Sequence, residues 1–574
     1  LLRLFRFLQP YSIQVACVLT LVLLQSLSEL YLPTLMSRLV DVGIVNGDIP
    51  YIMRTGGLML LVAGCCACCA ISSVYFAART ASAFGKTLRS KIFSHVENFS
   101  LQEFDRFGAP SLITRTTNDV TQVQMLTLVM LRTFVSAPVM CVGGVFMAVS
   151  MDSTLSLVLV VAVPLLAVLI FIIGGKALPL FKAMQGKIDR INLILRENLS
   201  GVRVIRAFNR TGYERDRFNE ANLDLTATAV RVHRMMATLM PVLMLVMNLT
   251  AVAIIWFGGI RIDAGHMQVG ALMAFLQYAM QIMFSLLMAS MLFVMVPRAA
   301  ASAERINEIL DTRPSIRDGA KVRDGGGGGL VEFKNVTFSY PGAEKPALRN
   351  VSFKAKPGEV TAIIGGTGAG KTTLINLIPR FYDVDSGSIM INGVDIREMA
   401  QRDLRAKIGL VPQKAVLFTG TIADNIRYGK GDATDEEIRQ AADIAQATGF
   451  ISDFKEGFAY AITRGGTNLS GGQKQRLSIA RALARKPEIY VFDDCFSALD
   501  YRTEARLRRA LKKETAGACV LIVSQRVSAI MDADQIIVLD EGEVAGIGRH
   551  KDLLESCRVY REIVSSQLAG GEIA

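Results

Sequence analysis

TAIIGGTGAGKTTL, residues 361–374, decides the fold of half of this chain. An apolar run rich in isoleucine passes into Gly365, Gly366, Thr367, Gly368, Ala369 and Gly370 and then into Lys371, Thr372 and Thr373, the GxxxxGK[ST] spacing expected between a strand and a helix. Glycines in such a loop let successive backbone N–H groups close round a β-phosphate. The Lys371 ammonium neutralises the β- and γ-phosphates, and the Thr372 hydroxyl is a ligand for Mg2+. Nucleoside-triphosphate binding is the expected chemistry.

Further along, IYVFDDCFSALD (489–500) brings an apolar strand out into two carboxylates, Asp493 and Asp494, and LIVSQRVSAI (521–530) places Gln525 just after a second apolar strand. From 330 to 567 the apolar runs have strand length and alternate with amphipathic helices, as in an α/β domain. DGGGGGL (324–330) marks the boundary with what precedes it, and 568–574 reads as a tail.

The chain has 574 residues and 62.5 kDa, enough for two cores, and 51% hydrophobic residues with a mean hydropathy of +0.36 are too apolar for an ordinary soluble protein. Six apolar stretches fall at about 12–34, 56–78, 127–150, 154–175, 236–258 and 270–296, each near the ~20 residues that cross a bilayer. Residues 1–324 are therefore expected to form an α-helical membrane domain of six transmembrane helices, a multi-pass body in the lipid bilayer. The segments 79–125 and 176–234 are long and rich in Arg and Lys, whereas those near 35–55, 151–153 and 259–269 are short and carry few positive charges. Positive-inside asymmetry puts both termini, the long loops and the α/β domain in the cytoplasm, with the bacterial plasma (inner) membrane as the expected location. The same asymmetry accounts for the net charge of +12; no nucleic-acid-binding motif accompanies it, and no nucleic acid partner is expected.

The long loops read as helices that run on past the bilayer, with docking turns near SLQEFDRFGAP (100–110) and VIRAFNRTGYERDRF (204–218), where Phe104, Phe208 and Phe218 would be unfavourably exposed without a partner. Four of the nine cysteines crowd GCCACC (64–69); inside an apolar run they read as small packing residues, since hydrocarbon disfavours thiolates. Nothing at the N-terminus reads as a cleavable signal, and LLRLFRFLQP lacks an initiator Met, which suits a trimmed leader. Polar residues within spans are candidates for function: Glu29 in the first and Gln277 in the sixth. Met273, Gln277, Met280, Phe284, Met288, Met291 and Met295 recur at helical spacing, an adaptable stripe suited to a hydrophobic small-molecule substrate, with Glu29, Gln277, Met280 and Met288 as the path residues expected.

NLSGGQKQRLSIARAL (468–483), together with the phosphate loop, VPQ at 411–413, the acids at 493–494 and SALD at 497–500, resembles the ATPase domain of ABC transporters. The six stretches with two long cytoplasmic loops are similar to the membrane half of a multidrug-type ABC exporter. The resemblance implies that Tyr340 of FSYPG stacks on adenine, that Gln413 senses the γ-phosphate and Mg2+, and that Asp493 holds Mg2+ through water, beside Thr372. It further implies that Ser470, Gly471, Gly472 and Gln473, with Asp500, complete a nucleotide site across a dimer interface, so that one chain carries half of each of two sites.

Two positions depart from the family pattern. Where the family has a catalytic glutamate this chain has Asp494, and where it has a histidine that contacts the γ-phosphate this chain has Gln525. Removing one methylene withdraws a carboxylate by ~1.5 Å, which misplaces a group whose work as general base is worth ~10²–10⁴ in rate. Glutamine still donates a hydrogen bond but takes no positive charge. ATP binding needs neither group. The pattern fits one half of a heterodimeric exporter: a slow site on its own phosphate loop, and an intact signature serving a second half-transporter that carries the complete acid and the histidine. Arg464 and Gly465 also depart from the usual GERG before the signature. A homodimeric lipid or peptide exporter, or an ATP-gated channel or regulatory subunit, would use the same architecture; the scarcity of ionisable groups in the sixth stretch weighs against a channel. Six spans exclude a soluble ATPase.

Overall fold

The computed structural model describes residues 1–318 and 328–567, so residues 324–327 of the glycine run and the tail 568–574 lie outside the described residues. The chain divides into two units: Leu1–Glu97 with Ala109–Thr312, and Asn98–Gly108 with Arg313–Ala574.

The first unit is helical. Six helical segments are long and apolar enough to cross a membrane: Leu2–Ile44, Ile49–Val96, Ala109–Met151, Leu157–Ala207, Thr211–Asp263 and Val269–Asp311. Each apolar stretch read from the sequence lies inside one of them, except that the fourth, 154–175, begins three residues before Leu157. The helices outrun the stretches because their continuations are polar but still good helix formers; the 51 residues of the fourth would span ~75 Å, far more than ~30 Å of hydrocarbon. Every backbone group in hydrocarbon must find its partner inside its own segment, so contact between helices is left to side-chain packing. Small residues permit the closest approaches. A Cβ on Gly143 would meet Leu30 Cδ1 at 2.5 Å, and one on Gly144 would meet Ile282 Cγ1 at 2.7 Å, which seats the third helix against the first and sixth.

Buried carboxylates pin both ends of this bundle. Asp152, beyond the third helix, is 7% exposed and takes an ion pair from Arg261 of the fifth at 2.6 Å. Asp119 accepts from Arg305 and Ser302 of the sixth. A buried carboxylate left alone would be strongly destabilising, so each pair specifies which helix lies beside which.

The second unit is the α/β domain. A six-stranded sheet carries four parallel neighbours, Val360–Gly365, Ile408–Val411, Ile489–Asp493 and Cys519–Val523, with Gln535–Asp540 parallel to the first of them and Glu543–Gly548 antiparallel at its edge. Their near-continuous burial is what a parallel sheet covered on both faces requires. An antiparallel sheet of Val331–Phe338, Leu348–Ala355, Ser386–Ile391 and Val394–Asp395 shares a core with it through Phe333, Leu374 and Ile537.

The segment Asn98–Gly108 belongs to this second unit although it lies between two membrane helices in sequence. It forms the short helix Leu101–Phe107, started by a capping box in which Ser100 and Glu103 exchange hydrogen bonds. Leu101 packs against the domain core, and Tyr382 donates to Asp105 at 3.1 Å. The turn expected near 204–218 is different: three residues join Ala207 to Thr211, and Phe208 there is 75% exposed.

Candidate functional site

Parallel pairing brings three strand ends to one edge. Val523 is registered with Asp493 on one side and with Ile363 on the other, so the phosphate loop after Gly365, the acids Asp493 and Asp494, and Ser524–Gln525 all emerge together. Asp494 donates its N–H to the Val523 carbonyl at 2.9 Å, and Ser524 donates to that of Ile363 at 3.2 Å, which stitches the three ends into one frame.

The loop itself needs its glycines at two points. Gly370 has φ +94°, and a Cβ there would lie 2.8 Å from the Ala347 carbonyl oxygen; at Gly365 a Cβ would meet the Leu539 carbonyl oxygen at 2.2 Å. Lys371, 7% exposed, donates to the carbonyls of Gly365 and Gly366 at 2.9 and 2.6 Å, so its charge sits in the curl of the loop. Burial lowers its pKa, against the pull of Asp494 and Asp493. Burial raises that of Asp493, which Asp494 reinforces and the Thr372 hydroxyl, donating at 3.4 Å, opposes. A buried carboxylate beside the Thr372 hydroxyl offers two oxygen donors suited to a hard cation such as Mg2+. When bound, Mg2+ would supply the positive charge that lets Asp493 stay ionised and that neutralises phosphate.

Gln413 connects the acids to the signature helix. Its Nε2 approaches Asp494 Oδ2 at 3.5 Å, while its carbonyl accepts from Gln475 at 2.7 Å. Asp494 holds φ +43°, a left-handed conformation that an aspartate tolerates better than most residues. The exposed Gln525 side chain stands just beyond its strand, and its carbonyl accepts from Gln567 at 2.7 Å.

Ser470, Gly471, Gly472 and Gln473 begin the helix Gly471–Arg485. Ser470 caps it, accepting from the Gln473 N–H at 3.3 Å while the Gln473 side chain accepts from Ser470 N–H at 2.8 Å. Ser470 and Gly471 are exposed. The helix is rooted in a cluster around Leu477, Ile479 and Leu483, whereas the helix after the phosphate loop is rooted in another with Leu374 and Ile375. Asp500 spends its carboxylate capping the helix Tyr501–Glu514 through Thr503. Arg464 and Gly465 sit in a short turn held by Lys474, which donates to the Gly465 carbonyl at 3.1 Å.

Tyr340 donates to or accepts from Thr373 at 3.0 Å, which fixes its ring beside the phosphate-loop helix. Sequence reading missed its neighbour. Tyr382, 8% exposed, meets Tyr340 edge to face at 5.5 Å and bonds Asp105 on its other side. Burial, reinforced by Asp105, holds the Tyr382 hydroxyl protonated far above its ordinary pKa. No motif announces this pair, because a tyrosine and an aspartate 277 positions apart carry no periodic signal.

The membrane candidates separate. Met273, Gln277, Phe284, Met288 and Met291 lie on the exposed face of the sixth helix, as their spacing requires; Met280 is half-buried and packs with Leu166, Leu243 and Met283. Glu29 is half-buried on the first helix. A groove of about 610 Å³ between the fourth and fifth helices, lined by Val161, Leu165, Leu249 and Phe257, contains none of Glu29, Gln277, Met280 or Met288. Among the described residues no three potential metal ligands converge; Cys65 and Cys68 are exposed, Cys66 and Cys69 half-buried.

Residues 15–286 match the family description "ABC transporter transmembrane region" and residues 348–497 match "ABC transporter". An uncharacterised ABC transporter ATP-binding protein of Mycobacterium tuberculosis is 46% identical over 565 residues, covering 98% of this chain and 97% of the relative. A fatty acid ABC transporter ATP-binding/permease protein of the same species is 34% identical over 83% of this chain and 75% of its own length. Among solved structures, a bacterial Atm1-family ABC exporter with ATP bound superposes with a TM-score of 0.81 at 26% identity, covering 97% of this chain and 98% of that one. With six helices long and apolar enough to cross a membrane joined to an ABC ATPase domain, this chain belongs to the ABC transporters, as a half-size ABC exporter.

Proposed function

We propose that this chain is one half of a heterodimeric exporter that uses ATP to move hydrophobic or amphipathic compounds out across the bacterial inner membrane. Its own phosphate loop binds ATP with Mg2+ but hydrolyses it slowly, and its signature completes the fast site of a partner. One observation carries this reading: both groups that would activate the attacking water are altered, Asp494 and Gln525, while Tyr340, Lys371, Thr372, Gln413, Asp493 and Ser470 keep the types that binding needs.

The positions of these residues support such a division of labour. Lys371, Thr372, Gln413 and Asp493 converge at one sheet edge and bind nucleotide and cation; Ser470 and Gly471 lie exposed on a separately rooted helix, free to reach another chain's nucleotide. Asp494 leaves its carboxylate short of where a glutamate would place it, and Gln525 contributes a neutral donor. Two ATP molecules would then close the dimer, and one would be turned over. A second reading is homodimeric export of lipid, and the name of one relative, a fatty acid ABC transporter, favours a fatty acid as its substrate.

ATPase activity of the purified chain separates them. Alone it turns over slowly, and Asp494→Glu combined with Gln525→His raises the rate by at least about tenfold. Brisk turnover by the unaltered chain with no partner present would sink the heterodimer reading in favour of the homodimer.

A further inference from the structure

Beyond Val523 the chain turns through Ser524, Gln525 and Arg526 into the short helix Val527–Ala529. The first residue of the turn is held locally: Ser524 N–H bonds the Ile363 carbonyl, and the Ser524 hydroxyl accepts from Arg526 N–H at 2.9 Å. The next two backbone groups are met by one side chain 40 positions away. Gln567 Nε2 donates to the Gln525 carbonyl at 2.7 Å, and Gln567 Oε1 accepts from Val527 N–H at 2.9 Å. An amide turned the other way would set oxygen against oxygen and N–H against N–H, so both bonds fix its orientation.

The clamp has a rigid root. Gln567 ends the helix Arg558–Gln567, whose Tyr560 and Val564 are buried in the same small core as Val527, Ala529 and Ile530. Tyr560 is further held by His550 at 2.7 Å. Gln567 itself is exposed, so the core does not need its side chain; what it does is bond the turn. On the other side of the turn Arg526 donates to the Ser497 carbonyl at 3.2 Å, which leaves the carbonyl of Gln525 itself to Gln567. The exposed Gln525 side chain leaves from that braced backbone, at the sheet edge that carries the phosphate loop and the acids.

We propose that Gln567 is a positioning residue for ATP: from the end of its helix it fixes the turn so that the Gln525 side chain meets the γ-phosphate of a nucleotide held by Lys371. The inference rests on the reading of Gln525 as a neutral donor to that phosphate, and it brings a residue of the helix Arg558–Gln567 into the site. ADP has no γ-phosphate. Gln567 therefore tunes the preference for ATP over ADP without touching either nucleotide, since a shift of ~1 Å in the turn is enough to misplace a hydrogen-bonding group.

The test uses the full chain in lipid nanodiscs with Mg2+, radiolabelled ADP and the non-hydrolysable imido analogue of ATP, and needs neither turnover nor a second subunit. Gln525→Ala lowers the ratio of analogue affinity to ADP affinity about tenfold, as expected for a hydrogen bond to a charged oxygen. Gln567→Met, nearly isosteric, lowers the same ratio about fivefold and leaves ADP binding unchanged. Gln567→Glu, which cannot donate to the Gln525 carbonyl, acts in the same direction. In a Gln525→Ala background Gln567→Met changes nothing further, because no side chain remains to be positioned. A wild-type ratio in either Gln567 variant overturns the proposal, as does an equal loss for both nucleotides or a loss that adds to that of Gln525→Ala; the γ-phosphate reading survives these results so long as Gln525→Ala lowers the ratio. An unchanged ratio in Gln525→Ala contradicts that reading itself, and the positioning role falls with it.

Discussion

Asp494 Oδ2 stands 3.5 Å from Gln413 Nε2, at the limit of a hydrogen bond, while the Asp494 N–H is tied at 2.9 Å to the Val523 carbonyl. The backbone of the second acid is therefore fixed by the sheet, and its reach is set by side-chain length alone. Asp494→Glu extends the carboxylate from that frame, at a backbone cost, since φ +43° suits aspartate better than glutamate. In the assembled transporter Asp494→Asn should leave ATPase activity within about twofold of wild type, because the group contributes little at a slow site, whereas a general base is worth ~10²–10⁴. Steady-state hydrolysis measures this; a hundredfold loss would show Asp494 to be an active base.

Tyr382 links the aromatic face beside the phosphate loop to the helix Leu101–Phe107 through Asp105. Tyr382→Phe keeps the ring and removes a hydrogen bond to a carboxylate, worth ~1.5–3 kcal/mol. Basal hydrolysis should persist, while stimulation by transported compound falls by at least half. Full stimulation in Tyr382→Phe and in Asp105→Asn alike would deny this contact a part in coupling.

Glu103 caps that same helix and accepts from Ser315 N–H at 3.1 Å. Burial pushes its pKa up, but the bonds from Ser100 and Ser315 outweigh burial and hold it below the ordinary value. A carboxylate with a lowered folded pKa contributes stability that is present above its unfolded pKa of ~4.3 and is lost as pH falls through the folded value. Hydrogen exchange of residues 101–107 should accelerate on acidification through that window in wild type and show a flatter pH dependence, once corrected for intrinsic exchange, in Glu103→Gln. Equal slopes would remove Glu103 from the account.

On the sixth helix Gln277 and Met280 should behave differently. Met280 packs among Leu166, Leu243 and Met283, so Met280→Ala opens a partial cavity and costs about 1–2 kcal/mol, below the ~2–5 of fully buried sites. Gln277 is exposed, and Gln277→Ala should leave thermal stability unchanged while altering which compounds stimulate ATPase activity. A destabilised Gln277→Ala with an unchanged compound profile would return that residue to packing.

The phosphate loop, both acids, the signature and all six spans could be read from the sequence because each is a local pattern: fixed glycine spacing, an apolar run of set length, a strand ending in carboxylates. What escaped reading depends on chain segments far apart. Tyr382 with Asp105, Arg261 with Asp152, and Gln281 with Glu29 are pairs made only when helices and sheets come together. Helix ends escaped for another reason: polar continuations such as ERDRFNEANLDL keep helical propensity after hydropathy has vanished, so the fifth helix runs from Thr211 to Asp263 around an apolar stretch less than half that long. Helical spacing put Met273, Gln277, Phe284, Met288 and Met291 on one exposed face, but gave no sign that Met280 and Met295 are half-buried.

The most direct test of the central claim compares Ser470→Ala with Lys371→Ala in the assembled transporter, measuring ATP hydrolysis and trapped radiolabelled nucleotide. Ser470 lies exposed at the start of its helix, and Lys371 lies in the chain's own phosphate loop. If the signature serves the partner's fast site while the loop holds a slow one, Ser470→Ala abolishes hydrolysis, and Lys371→Ala reduces nucleotide trapping but leaves substantial turnover. Loss of turnover in Lys371→Ala with Ser470→Ala still active would place the catalytic burden on this chain's own site and contradict the account.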